Sequence, residues 1–206
     1  MNTPHSSYLV WFDTEYTSLD LEQARLAQVA MVVTDPQGRR VASPEQDLVT
    51  PVRLPAGVPV SDFLARECPA LVARCRADET PTVETVDQQL AARLEEILGP
   101  VPAQVKHRPV LAGNSIHCDW WLARRFLPRF LARLHYRQLD VSSLKILWVT
   151  AGLGPEFKKD DPALLQDYLP GWSAPTQASR HDAWYDVMCS LAELNYYRKN
   201  FLKAAE

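Results

Sequence analysis

Two apolar runs constrain this chain more than anything else in it. Residues 8–12, Tyr-Leu-Val-Trp-Phe, and residues 27–34, Ala-Gln-Val-Ala-Met-Val-Val-Thr, are rich in β-branched and aromatic side chains. Runs of that length and type form buried strands. Asp35-Pro36 and Gly38 then supply turn chemistry. The chain is therefore expected to double back, with Val41–Val49 as a third strand of an antiparallel meander. The first run ends oddly, in two carboxylates, Asp13 and Glu15, separated only by Thr14. In a strand, residues i and i+2 face the same side. Two acids projecting together resist ionising together, and a divalent cation with its preference for oxygen ligands removes that penalty. The ordinary alternative is that the strand simply ends there and both acids are solvated.

Downstream, helices alternate with short strands. Asp62–Ala77 has helical character broken at Pro69. Thr82 is a candidate N-cap for a helix whose Val83, Val86, Leu90, Leu94, Ile97 and Leu98 share a face, stopped by Gly99-Pro100. Arg108–Asn114 reads as a short strand and Cys118–Leu134 as a helix bent at Pro128. A strand at Leu139–Val141 leads into a helix capped by Ser142. A short helix is expected near Ala163–Tyr168 and a last one over His181–Lys199. Strands followed by alternating helices and strands make an α/β layout.

Composition narrows the function classes. A formal net charge of −3 over 206 residues argues against a broad basic surface for long nucleic acid. Four cysteines without a C-x-x-C pair suggest neither zinc nor a redox motif, and fit a reduced, cytoplasmic protein. No stretch approaches the roughly 18 apolar residues of a membrane span. Residues 1–7 are polar and the following apolar run is short, so no secretory signal is expected. One domain covering 1–206, with its core at about 8–201, suits the length.

Further acids follow at Asp119, at the start of the helix after the Arg108–Asn114 strand, and at Asp186, beside the apolar stripe of the last helix. His181 lies five residues before Asp186. Singly, each has a plain reading: a first-turn acid that suits the helix dipole, a residue at the edge of the buried face, a surface or capping histidine. Their order is more telling: Asp-x-Glu on a first strand, Asp after a later strand, then His-x4-Asp.

With "DTEYTSLD", "VAMVVTD", "GNSIHCDWWLARRFLP", "HYRQLDVSSLK" and "HDAWYDVMCSLAELNYYR", that order resembles the DEDDh family of 3′–5′ exonucleases, and within it the oligoribonucleases. The resemblance implies an α/β, RNase H-like mixed sheet, with the three-strand meander flanked by helices. It implies that Asp13, Glu15, Asp119 and Asp186 hold two divalent cations, Mg²⁺ or Mn²⁺, and that His181 accepts a proton from the attacking water. The spacing favours the histidine branch, since Tyr185 is adjacent to Asp186 and does not fit the tyrosine branch. The substrates implied are short single-stranded RNA oligonucleotides, and the product a nucleoside monophosphate. Leu19 would wedge against a base and Ser115 would contact the terminal phosphate. Tyr136, Arg137 and Ser142 would come from a partner subunit to cap the 5′ phosphate, which implies a homodimer. Arg137 and Tyr136 could equally be an ordinary surface arginine and a half-buried strand residue.

The chain also departs from the family. Gln28 stands where a glutamate is usual. Residues 61–71, "SDFLARECPAL", lack the family's stacking Trp and its later His, with Phe63 and Arg66 as candidate substitutes. His117-Cys118 replace a common Gly-Gln, and His117 is expected at the pocket rim, ligating nothing. A DEDDh exonuclease acting on longer single-stranded DNA or RNA 3′ ends is the alternative. A nucleotide-binding protein that has lost catalysis is a reading of another class, opposed by the retention of all five catalytic residue types.

Overall fold

The computed structural model describes residues 8–169, 171–172 and 182–204. A five-stranded mixed sheet is its frame. Its central strand, β1 (Leu9–Tyr16), pairs antiparallel with β2 (Leu26–Thr34) and parallel with β4 (Val110–Gly113). β3 (Leu48–Pro51) adds antiparallel to β2, and β5 (Gln138–Asp140) parallel to β4, giving the order β3-β2-β1-β4-β5. The mixed sheet flanked by helices is the α/β architecture expected from the sequence. β4 lies close against the end of β1 because Gly113 has no side chain: a Cβ there would stand 2.8 Å from the Phe12 carbonyl oxygen.

The helices divide between the two faces of the sheet. On one face pack α6 (Val141–Thr150) and α8 (Ala183–Ala204), over Trp11, Ala30 and Val32. On the other pack α3 (Val83–Leu98), α4 (His117–Phe126) and α5 (Pro128–Leu131), over Val10, Phe12, Val29, Met31 and Val33. Strand alternation thus sends odd residues of β1 to the α8 side and even residues to the α4 side. The first half of β1 and most of β2 read as apolar runs because both their faces are covered. α1 (Asp62–Glu67) and α2 (Pro69–Cys75) form a smaller cluster beyond Ala27, broken at Pro69 as expected. α7 (Pro162–Asp167) precedes α8.

Two expectations are corrected. The third strand begins at Leu48, not Val41. After a single bridge from Arg40 to Thr34, a 3-10 turn at Pro44–Gln46 takes the chain out of the sheet. Proline cannot donate to a ladder, and Arg40 closes the turn through two bonds to Asp47, at 2.5 and 2.9 Å. The cap of α6 is Asp140, not Ser142: the Asp140 carboxylate accepts from the Ser142 amide at 2.9 Å, which frees the Ser142 hydroxyl for other work. No described helix is long and apolar enough to cross a membrane.

Candidate active site

The C-terminal end of β1 carries the acids. Asp13 and Glu15 are odd residues and so face α8, whose first turn holds Asp186. One carboxylate oxygen from each of these three residues lies within 4.8 Å of the others. Asp119 comes from the opposite layer, in the first turn of α4, where it is buried. The Thr14 hydroxyl reaches it through the other face of β1, donating to Asp119 Oδ1 at 2.7 Å. The site therefore straddles the strand end, with Asp186 delivered over one face and Asp119 over the other. His181 lies outside the described residues.

The four acids share a cleft of about 340 Å³ with Leu19, Phe63 and Ser115 in its wall. That volume is at the small end of the roughly 300–1,000 Å³ typical of ligand sites. A larger cavity, about 890 Å³, opens between Val52–Gly57 and the start of α3, and none of these acids lines it.

Burial and mutual repulsion set the electrostatics. Solvent reaches parts of Asp13 and Glu15, but protein surrounds them on most sides. Burial, then the charges of Asp119, Asp186 and Glu15, hold the Asp13 carboxyl well above its ordinary range. Burial, followed by the charges of Asp186, Asp182 and Asp119, pushes Glu15 up to about 8. Asp119 is raised by burial to about 7, against the pull of its hydrogen bond from Thr14. Lys159, from the segment between α6 and α7, places its ammonium 3.0 Å from Asp186 Oδ1. An all-oxygen cluster that resists carrying its own negative charge has the chemistry of a hard divalent-cation site.

The substrate candidates scatter more. Leu19 is 90% exposed at the cleft mouth and Phe63 is 50% exposed beside it. Ser115 takes a left-handed backbone (φ 47°), a costly conformation for a serine. It is held there because its amide donates to Asp140 Oδ1 at 3.0 Å and to the Ser142 hydroxyl at 2.9 Å. Ser142 thus meets Ser115 of its own chain. Tyr136 is 69% exposed, and neither it nor Arg137 lines the described cleft. Arg66 pairs with its neighbour Glu67 and is not in the cleft wall. His117 is mostly exposed, 3.8 Å from Asp140.

The profile of the family described as "RNase_T: Exonuclease" matches residues 10–194. The oligoribonuclease of Tropheryma whipplei is 33% identical over 201 residues, spanning 97% of this chain and 96% of that protein. The chain belongs to the oligoribonuclease family of exonucleases. The oligoribonuclease of Corynebacterium efficiens is 32% identical over 200 residues, 95% of this chain and 80% of that protein. Among solved structures, cell-death related nuclease 4 superposes with a TM-score of 0.61 at 14% identity. That match covers 94% of this chain and 64% of the nuclease. Exonuclease I from Methylocaldum szegediense gives 0.60 at 19% identity, covering 96% and 43%. These two likenesses show the shared fold. The exonuclease family is divalent-metal dependent, as the acidic cluster of this oligoribonuclease relative suits.

Sequence reasoning missed three contributors to the site: Thr14, Lys159 and Asp182. Thr14 was marked by its place between the two acids. Lys159 sits in an aperiodic loop, where no local pattern announces a long-range contact. Asp182 was hidden next to His181 in the motif; its charge reaches Glu15.

Proposed function

We propose that this chain is a divalent-metal-dependent 3′–5′ exoribonuclease that shortens RNA oligonucleotides of a few residues to 5′-mononucleotides. The carrying observation is the carboxylate cluster at the end of β1, inside a small cleft, in a chain that matches oligoribonucleases along nearly its whole length.

Asp13, Glu15, Asp119 and Asp186 are the residues to hold two cations, Mg²⁺ or Mn²⁺. When bound, such cations offset the phosphate charge and acidify a water for attack. The chain's own part is to orient and to move a proton. His181 accepts the water's proton; its role rests on the family resemblance and on its place five residues before Asp186. The water oxygen bonds to phosphorus, the P–O3′ bond breaks, and the departing 3′ oxygen takes up a proton. Leu19 and Phe63, both exposed at the cleft, offer apolar surface to the bases. Ser115, with Ser142 behind it, offers hydroxyls to the phosphate.

Tyr136 and Arg137 have no such place in the chain's own cleft. Their assignment to a partner's 5′ phosphate makes the protein a homodimer. The exposed Ile146, Leu147, Val149 and Leu153, on and just after α6, give a second copy apolar surface to cover. A 5′ cap limits substrate length, because a longer strand runs into it.

The test is direction and metal dependence together. A five-nucleotide RNA carrying separate labels at its two ends should lose its 3′ nucleotide first in Mg²⁺. It should stay intact in EDTA or with Asp13→Asn. Loss of the 5′ nucleotide first, or cleavage undiminished in EDTA, would overturn the reading.

A further inference from the structure

Opposite Glu15 in the β1–β2 ladder stands Gln28, on the same face of the sheet and 2% exposed. Its side chain reaches the start of α8. Gln28 Nε2 donates to Asp182 Oδ2 at 3.0 Å, and Gln28 Oε1 accepts from the Ala183 amide at 3.0 Å. Asp182 is in turn the N-cap of α8: its Oδ1 accepts from the Trp184 amide at 2.9 Å, and its carbonyl accepts from the Asp186 amide at 3.2 Å. One buried amide therefore ties the helix turn that carries Asp186 to the strand beside Glu15.

We infer that Gln28 is a positioning residue for the acidic cluster, and that it works as one half of a polarity-matched pair with Asp182. The inference rests on the reading of this cleft as the reaction site. The pairing is directional. A primary amide has one end that accepts and one that donates, and here each end meets its complement. Gln28→Glu keeps the bond from Ala183 but sets an acceptor against the Asp182 carboxylate 3.0 Å away. A charged pair so close would have to separate or bind a proton. Asp182→Asn gives the opposite fault: the new side chain still caps Trp184 through its oxygen, but turns its NH₂ toward the Gln28 NH₂. Flipping the Gln28 amide does not help, because its donors would then face the Ala183 N–H. The two faults cancel when combined. In the double variant the introduced asparagine donates to the introduced glutamate, Ala183 still donates to that glutamate, and the Trp184 cap survives. The pair thus explains how the chain accommodates glutamine at position 28: the acidic partner lies across the gap, on the helix.

The experiment is a double-mutant cycle over Gln28→Glu, Asp182→Asn and both together, read by kcat, KM, melting temperature and the Mg²⁺ concentration that half-restores the melting temperature. A lost buried pairing costs enough to predict a fall in kcat of about tenfold or more for Gln28→Glu, with KM within about twofold. The Asp182→Asn loss should be smaller. The double variant should return to within about threefold of the native kcat and recover the native Mg²⁺ midpoint. Thr34→Val, which removes the Trp11–Thr34 bond of 2.9 Å at the far end of the ladder, serves as a control that lowers stability while leaving kcat alone. Additive losses in the double variant overturn the pairing. A kcat that simply tracks melting temperature across all four variants overturns the positioning role and leaves a structural bond. If the native protein turns over no RNA, the reading of the cleft fails, and the substrate-free melting and Mg²⁺ cycles still decide the pairing.

Discussion

The Lys159 ammonium stands 3.0 Å from Asp186 Oδ1, a positive charge brought to the edge of an acidic cluster. Lys159 is about half exposed, so the pair contributes little to folding, ~0–1 kcal/mol. Its larger expected effect is on cations, which, under the proposed metal-holding role of Asp186, would have to displace the ammonium. Lys159→Met should lower the melting temperature in EDTA by no more than a few degrees. It should also shift the Mg²⁺ midpoint for thermal stabilisation several-fold lower. An unchanged or higher midpoint would show that the ammonium does not compete.

Raised carboxyl groups make the metal-free protein sensitive to base. Glu15 moves from 4.5 to about 8 and Asp119 from 3.8 to about 7 on folding, both chiefly through burial. Over that window the native state binds more protons than the unfolded chain, so stability is full below the ordinary carboxyl range and declines as pH rises through the folded values. In EDTA the melting temperature should fall between about pH 4 and pH 8. Saturating Mg²⁺ should flatten or reverse the slope, because it compensates the ionised form. Parallel slopes with and without Mg²⁺ would place the cation elsewhere.

Thr14 acts on Asp119 from the far side of β1. Its 2.7 Å bond favours the ionised acid. Thr14→Val keeps the shape, removes the donor and should raise Asp119 further. Mg²⁺ should then bind more weakly, with the deficit larger near neutral pH than in alkaline solution, where Asp119 ionises anyway. Titrating the Mg²⁺-induced melting shift at two pH values checks this; an equal deficit at both would assign the effect to packing.

The proposed cap from a partner subunit has a complementation test. Asp13→Asn and Arg137→Ala should each be nearly inactive on 5′-phosphorylated dinucleotides. Co-refolded, they should form mixed dimers with one site holding native Asp13 and a native Arg137 from the other subunit. Recovered activity is expected. No recovery from mixtures shown to contain heterodimers would put Arg137 to work within its own chain.

Much of this was legible in the chain because periodicity reports what is local. β1, β2 and β4, the Thr82-capped α3 and the break at Pro69 all follow from apolar spacing and turn residues. So does the shared face of Asp13 and Glu15, since strand alternation alone sets it. The third strand starts later than the turn at Asp35–Gly38 implies because Arg40 and Asp47 close a further turn across seven positions, a pairing no alternation pattern encodes. Lys159 and the Gln28–Asp182 link escape for the same reason at longer range, Gln28 and Asp182 being 154 residues apart. Asp140 displaces Ser142 as the α6 cap because both are good capping residues and only the backbone path decides between them.

The proposed activity is removal of nucleotides from the ends of very short RNAs by the acidic cleft. It is tested most directly by mononucleotide release from 5′-phosphorylated RNAs of two, three, five, seven and twenty nucleotides in Mg²⁺ or Mn²⁺. The highest kcat/KM is expected on the shortest strands, with a steep fall by seven. Rates that rise with length, or no release at any length, would contradict it.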